Sequence, residues 1–353
     1  MAELQLTERE EAVLDAVIRT YVETAEPAGS RTVAKRFGLG VSAATVRNAM
    51  ADLEEKGFLF HPHTSAGRIP TDRAYRYYVD TLMRPVRLTV AEQRRLRREL
   101  AEGDESMSDA IADIVRRATQ ALGLITGELG LAIAPRLEDV ILEKLELALV
   151  ASERMLLILT LRNGTVRTVY VDLPGSVPPA TMASVTTVLN ERLAGHTLSE
   201  IRATVAERLR DAAEDERTTE LLNIFMQSAE GALTTDAQGP EELLLGRASV
   251  LARQPEFSSG SQLRNLMELT EQRDLLTGML TTRAHDSMPT ITIGMENRDP
   301  RLERFTLVTS EYRLGNLSGV LGVIGPTRMP YEKVAAIVQY SSALMTELAN
   351  PVS

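Results

Sequence analysis

Residues 61–80 of this 353-residue chain read HPHTSAGRIPTDRAYRYYVD and gather side chains that could do chemistry. Two of the four histidines, His61 and His63, stand there with Thr64, Ser65, Arg68 and a close run of arginine and tyrosine. Paired imidazoles could hold a metal or move a proton, whereas hydroxyls beside a guanidinium could grip phosphate. His61 and His63 alternate along a strand-like stretch, so both could face one side. Without any cysteine or a nearby acidic cluster they make only a weak zinc site. No nucleophile, base and acid come together around them, so the residues do not point to an enzyme. Phosphate contact is the remaining chemistry, because small hydroxyl residues with arginine suit a nucleic-acid backbone. No metal or cofactor is expected.

The elements that would position this stretch precede it. LTEREEAVLDAVIRTYVET places Val13, Leu14, Val17, Ile18 and Tyr21 on one helical face, with Thr7 as N-cap and a glutamate three residues later. EPAGS breaks that helix, SRTVAKRF forms a short second one closed by Gly38, and GLGVS turns the chain. Ser42 then caps a third helix, AATVRNAMADLEEK, which Gly57 stops. With Val46, Met50 and Leu53 as the buried stripe, Ala44, Thr45, Arg47, Asn48 and Ala51 point outward. A solvated face of an ordinary three-helix bundle would look the same. Yet helix, short helix, turn and helix is also the helix-turn-helix order, in which the last helix enters the DNA major groove. There small residues allow close approach, Arg suits guanine and Asn suits adenine. GFLFHP, HTSAG and RIP then read as strand, turn and return strand, the hairpin that makes a wing.

Composition bounds the alternatives. An apolar content of 44% supports real cores, and the length allows two or three domains. The first residues are charged and lack the features of a signal peptide, and MLLILTL at 155–161 is far too short to cross a bilayer. A cytoplasmic protein without a membrane partner is the expectation. The net charge of −10 argues against indiscriminate nucleic-acid binding, but it is unevenly spread. Residues 28–50 hold Arg31, Lys35, Arg36 and Arg47 and no acid, and residues 68–98 hold nine arginines against three acids. Residues 200–242 hold eleven acids against four arginines. Basic character is confined to the N-terminal third.

Beyond residue 85, RLTVAEQRRLRREL reads as a basic connector helix and SMSDAIADIVRRATQALGLIT as an amphipathic one, followed by a strand in ELGLAIAP. DVILEKLELALV, RMLLILTL and TVRTVYVDL are consecutive strands, the last two joined through Asn163–Gly164, a two-residue hairpin signal. Helical patterns follow at Met182–Leu193, at Ile201–Leu209 and around TTELLNIFMQSAEGAL. SQLRNLMELTEQRDLLTGML forms a helical zone, three strands lie in PTITIGME, RFTLVTSEY and LSGVLGVIGP, and a last helix begins at Glu332. Gly319, Gly322 and Gly325 sit within an apolar strand, without the spacing of a phosphate-cradling loop.

The run TVRNAMADLEEKGFLFHPHTSAGRIPTDRAYRYYVD, preceded by EPAGSRTVAKRF, resembles the N-terminal signature of the HrcA family of heat-inducible transcription repressors. ASVLARQPEF and GVLGVIGPTRMPY extend the resemblance more weakly toward the C-terminus. Ala43–Ala44 and Ala49 depart from serine-rich text and glutamate in many members, changes expected to bear on sequence preference. The resemblance implies an α+β multidomain protein. Its parts would be a winged helix-turn-helix over 1–85, a GAF-like domain in two pieces, 86–136 and 241–353, and an inserted dimerisation domain of a three-stranded antiparallel sheet plus helices over 137–240. It further implies a homodimer that reads an inverted-repeat (CIRCE-type) operator of double-stranded DNA before chaperone operons. Repression would be lost on heat stress when unfolded proteins occupy the chaperonin. The residues assigned to DNA are Ser30, Arg31, Lys35, Ser42, Ala44, Thr45, Arg47 and Asn48, with His63, Thr64, Ser65 and Arg68 of the wing. A regulator governed by a metabolite in the GAF-like domain, and an enzyme with a DNA-binding appendage, are the alternatives, and no polar constellation in the sequence marks either.

Overall fold

The computed structural model describes residues 5–38, 40–62, 67–101, 110–135, 140–151, 153–162, 166–175, 177–210, 219, 221–225, 243–282, 289–314 and 317–349. It is a mixed α/β protein, with three antiparallel sheets among the described residues. Helix α1 (Glu8–Thr24) starts where Thr7 and Glu10 form a capping box: the Glu10 amide donates to Thr7 Oγ1 at 3.3 Å, and the Thr7 amide donates to Glu10 Oε2 at 2.8 Å. Glu10 is itself buried against Lys56, whose ammonium donates to it at 2.5 Å and holds the carboxyl below its ordinary range. This ties the first turn of α1 to the end of α3 (Ala43–Glu55). Helix α2 (Ser30–Phe37) lies between them and ends on Gly38 at φ 56°. Val13, Leu14, Val17, Val46, Met50 and Leu53 fill the space enclosed by the three helices, as their spacing predicts, and Val33 of α2 joins them. Truncating any one of the larger of these would cost about 2–5 kcal/mol.

After α3 the chain forms a hairpin of β1 (Leu59–Phe60) and β2 (Ile69–Pro70), with Leu59 opposite Pro70. A third stretch joins it, since Ala28 and Arg68 exchange both backbone hydrogen bonds, at 2.9 and 3.0 Å. Gly67 makes that crossing possible: a Cβ there would lie 2.4 Å from the Ala28 carbonyl. EPAGS is therefore more than a break between helices, because it supplies the strand-like partner of the hairpin. The chain continues through α4 (Asp72–Tyr77) into a π-helical turn and reaches α5 (Val90–Ala101) and α6 (Ala110–Thr126).

The second sheet has five strands in the order β7-β3-β10-β9-β8, namely Leu243–Leu245, Leu129–Ile133, Leu317–Pro326, Phe305–Leu314 and Thr290–Ile293. Helices α6 and α11 (Tyr331–Ala349) cover one face. On the other, α9 (Gly260–Glu271) and α10 (Arg273–Thr281) pack on Leu129, Leu131, Leu307 and Ile324. The helical zone read as one segment is thus two helices broken at Gln272, and β7 carries no alternation that would have revealed it. Gly319, Gly322 and Gly325 admit neighbours: a Cβ would meet Tyr312, the Val308 carbonyl and the buried Glu128 carboxylate, respectively. They serve packing across strands.

The third sheet, β4-β5-β6 (Leu142–Ala151, Arg154–Leu161, Val166–Asp172), pairs antiparallel in chain order. Its inner face closes on α7 (Pro179–Leu193) and α8 (Leu198–Leu209) in a separate apolar core that includes Leu157, Leu159, Leu189 and Ile201. Asn163–Gly164, the hairpin signal between β5 and β6, lies outside the described residues. The core of the N-terminal helices, by contrast, runs without interruption through Tyr75 and Tyr78 to Tyr331 and Val334 of α11.

Candidate nucleic-acid interface

Helix α3 begins at Ser42, whose hydroxyl accepts from the Thr45 amide at 3.1 Å and lies 3.0 Å from the Thr45 hydroxyl. Both polar groups are engaged in holding the helix start, so they are less free for an outside partner than their types suggest. Ala44, Arg47 and Asn48 are exposed, and Thr45 is half-buried. Neither Arg47 nor Asn48 has a side-chain partner among the described residues. Ala49 faces inward and is 4% exposed, so its departure from the family pattern bears on packing and not on any base.

Charge divides α3 into two halves. Its first two turns bring Arg47 and the positive end of the helix dipole, while Asp52, Glu54 and Glu55 follow in the last two. A polyanion would meet the N-terminal half and be repelled by the C-terminal half. The hairpin modifies this: Arg68 sends its guanidinium to Glu54 at 2.7 Å with its side chain 21% exposed. Its Nε is buried without a hydrogen-bond partner. Arg68 thereby neutralises one of those three acids.

Of the other assigned residues, Ser30 is half-buried at the first position of α2, and Arg31 and Lys35 are exposed on its surface. Arg36 is paired with Glu23. His63, Thr64 and Ser65 lie outside the described residues, and His61 is half-buried beside them. Among the described residues no group of histidines and acids could hold a metal.

Several arginines of the basic stretch are occupied. Arg73 lies 4.6 Å over the Phe58 ring and donates to the Lys56 carbonyl at 2.9 Å. Arg76 forks onto Glu296 at 2.7 and 2.5 Å and donates to the Ile291 carbonyl at 2.7 Å, and the Glu296 carboxylate holds its guanidinium above the ordinary range. Asp72 accepts from the Met295 amide at 3.2 Å, Tyr78 donates to Glu332, and Arg97 is bidentate on Glu347. In return Arg328 donates to the Val22 carbonyl at 2.6 Å. RAYRYY is thus a helix that fastens the N-terminal unit to the C-terminal sheet. These fastening residues had no local signal, because their partners lie more than 200 positions away. On α5, Arg94, Arg95 and Arg98 remain exposed.

No helix among the described residues is long and apolar enough to cross a membrane. The profile of the HrcA protein C terminal domain matches residues 112–335. A heat-inducible transcription repressor HrcA from Chlorobium phaeovibrioides (strain DSM 265 / 1930) is 37% identical over 354 residues, covering 98% of each chain. Its namesake from Geobacter sulfurreducens is 37% identical over 344 residues, covering 97% of this chain and 98% of the other. A crystal structure of a hypothetical protein, 20% identical, superposes with a TM-score of 0.69 over 99% of this chain and 100% of that one, a likeness of fold. Matches of this extent in both sequence halves leave one assignment: the chain belongs to the HrcA family, whose named members are heat-inducible transcription repressors.

Proposed function

We propose that this protein is a dimeric repressor whose N-terminal unit is a winged helix-turn-helix, with α3 in the major groove and the hairpin along the adjoining backbone. The observation that carries this reading is the Arg47–Asn48 pair, without side-chain partners among the described residues, on the exposed first half of α3 beside small Ala44. Arg can fork onto guanine and Asn onto adenine only where nothing inside the protein already engages them. The unit around the five-stranded sheet acts as the GAF-like domain. The three-stranded sheet acts as the dimerisation unit: Leu149, Val150, Val166 and Tyr170 stand on its edge strands between 48% and 64% exposed. Such a patch favours association, and a two-fold dimer reads an inverted repeat.

The resemblance read from the sequence extends the proposal to chaperone operons and a CIRCE-type operator, and the relatives' name adds that repression responds to heat. Heat would act through native stability, since a margin of about 5–15 kcal/mol is erased by modest warming or by anything that binds the unfolded chain. A chaperonin that restores the fold would then set the level of active repressor, and unfolded proteins would draw it away. Footprinting of the full chain on upstream DNA of chaperone operons tests this. Protection of an inverted repeat is expected at low temperature, with loss on heating and recovery with chaperonin. An unprotected upstream region would overturn the reading.

The Arg68–Glu54 pair gives a second test. Arg68→Ala is expected to weaken binding to all duplexes alike, because it exposes the Glu54 carboxylate near phosphates. The double variant Arg68→Ala with Glu54→Gln should recover most of the affinity. A change confined to sequence preference would place Arg68 on bases instead.

A further inference from the structure

Helix α5 and the stretch leading into it carry Arg84, Arg87, Arg94, Arg95 and Arg98, all exposed and all without a hydrogen-bond or ion-pair partner among the described residues. The other charges nearby are engaged inside the molecule. Arg97 is bidentate on Glu347 at 2.9 and 3.0 Å. Glu92 accepts from the Thr89 amide at 2.9 Å, which closes the start of the helix, and also holds Lys333.

Periodicity gathers three of the free cations on one face. Leu96 and Leu100, at most 1% exposed, fix the inward side of α5. Glu92 and Glu99 lie on a half-buried flank. Arg94, Arg98 and Arg95 fall together on the opposite side, within an arc of about 100° that holds only Ala91 besides. Arg94 and Arg98 stand one turn apart, a like-charge pair that weakens the helix, and no acid on this face offsets it. Exposed faces of soluble proteins ordinarily mix both signs, and this one is wholly basic in a chain of net charge −10. Gln93, the amide on the helix, is turned to the Leu88 carbonyl at 3.3 Å. The face therefore offers charge and no group that tells one base from another.

A short relay ties this face to the N-terminal unit. Arg19 of α1 lies 3.9 Å from Glu332, which also accepts from Tyr78, and the next residue, Lys333, reaches Glu92 of α5. The helix is thus anchored beside the three-helix unit with its basic side in solvent.

We propose that this stripe is a second duplex-binding surface, which neutralises phosphates of double-stranded DNA flanking the half-site held by α3. It rests on the DNA-binding reading above. Charge complementarity selects the occupant: a single-sign row without base-reading groups suits a regular polyanion. The twelve residues of α5 run about 18 Å, the length of roughly five base pairs, which is room for three phosphate contacts. The contact adds affinity and salt dependence, and α3 alone supplies sequence preference.

The test is fluorescence anisotropy of the full-length protein on three duplexes. One is the upstream inverted repeat of a chaperone operon with about 15 base pairs on each side, three times the reach of α5. The second is the same repeat without flanks, and the third is a scrambled duplex of the longer length. Flanks should tighten binding more than tenfold at about 100 mM salt. The triple variant Arg94→Gln, Arg95→Gln, Arg98→Gln should abolish that gain and leave binding to the trimmed repeat and the melting temperature unchanged. Its plot of log affinity against log salt should be shallower by about 2.7 per chain on the flanked duplex. Lysine at the same three positions should preserve the gain, because phosphate neutralisation requires charge. Equal binding of flanked and trimmed duplexes by the parent, or a gain that survives the glutamine triple, overturns the surface. A lysine triple that loses the gain overturns it as well. Should the glutamine triple melt below the parent, Arg98→Gln alone carries the test, with a slope shallower by about 0.9 per chain. Binding to phosphatidylglycerol vesicles that depends on the three arginines, with no gain from flanks, overturns DNA as the occupant. Scrambled DNA bound as tightly as the operator, but only with the three arginines present, refutes the reading of α3 and leaves the stripe standing.

Discussion

Replacing Arg47 by alanine should weaken operator binding by about 1–3 kcal/mol per half-site, and Asn48→Ala by a similar amount. In a two-fold dimer each substitution enters twice, so either variant alone should lose about 2–6 kcal/mol on an inverted repeat, roughly thirtyfold or far more. Both side chains are exposed and stand on the helix surface away from Val46, Met50 and Leu53. Their removal leaves no cavity, so thermal stability should stay within about 0.5 kcal/mol of the parent. The discriminating measurement is anisotropy on the operator and on a scrambled duplex at the same salt. Base readout predicts a large loss on the operator and a small one on scrambled DNA. Equal losses on both would mean that Arg47 meets phosphate, and α3 would have to lie differently in the groove.

The second large effect concerns stability. Glu128 is 2% exposed at the start of β3; its Oε2 accepts from Gln254 Nε2 at 3.0 Å, and it sits against Gly325, where a Cβ would overlap the carboxylate. Burial is the leading influence and pushes the carboxyl up to about 8, with Glu256 adding to the rise, while the Gln254 hydrogen bond and Arg328 oppose it. The sign follows from linkage. Below an ordinary carboxyl pKa both folded and unfolded chains hold the proton. Between about 4.5 and 8 the unfolded chain releases it and the folded chain does not, so stability falls as pH rises. The slope is at most about 1.4 kcal/mol per pH unit, and the fall across the window is on the order of 5 kcal/mol. Glu128→Gln keeps the acceptor for Gln254 and has no charge to bury. It should therefore flatten the decline and melt above the parent at pH 8 while matching it near pH 5. Melting curves at the two pH values decide the matter: a variant that follows the parent's pH dependence would show that Glu128 is ionised in the fold.

Local rules accounted for much of the N-terminal unit. Thr7 with Glu10 announced the first helix, Gly38 and Gly57 the ends of the second and third, and the spacing of Val46, Met50 and Leu53 the buried stripe. The three consecutive strands from residue 142 were also legible, because alternation survives wherever one face is packed and the other is not. Strand β7, at three residues, was too short to show a period. The pairing of Ala28 with Arg68 was hidden for another reason: a single backbone bridge forty residues apart leaves no side-chain pattern, and only the glycine beside it betrays the close approach.

Residue types alone made Arg68 and Arg76 look like two members of one basic surface. In the fold, Arg68 faces Glu54 across the hairpin and Arg76 is locked on Glu296 of a distant turn. From its sequence the chain determined its helices, its family and the face of α3 that points outward, because helix propensity, capping and periodicity act within a few residues. The tertiary structure alone decided which cations stay free and which carboxyl is stripped of water. Charge pairing and desolvation depend on distance in space, and neighbours in space here lie as much as 306 positions apart along the chain.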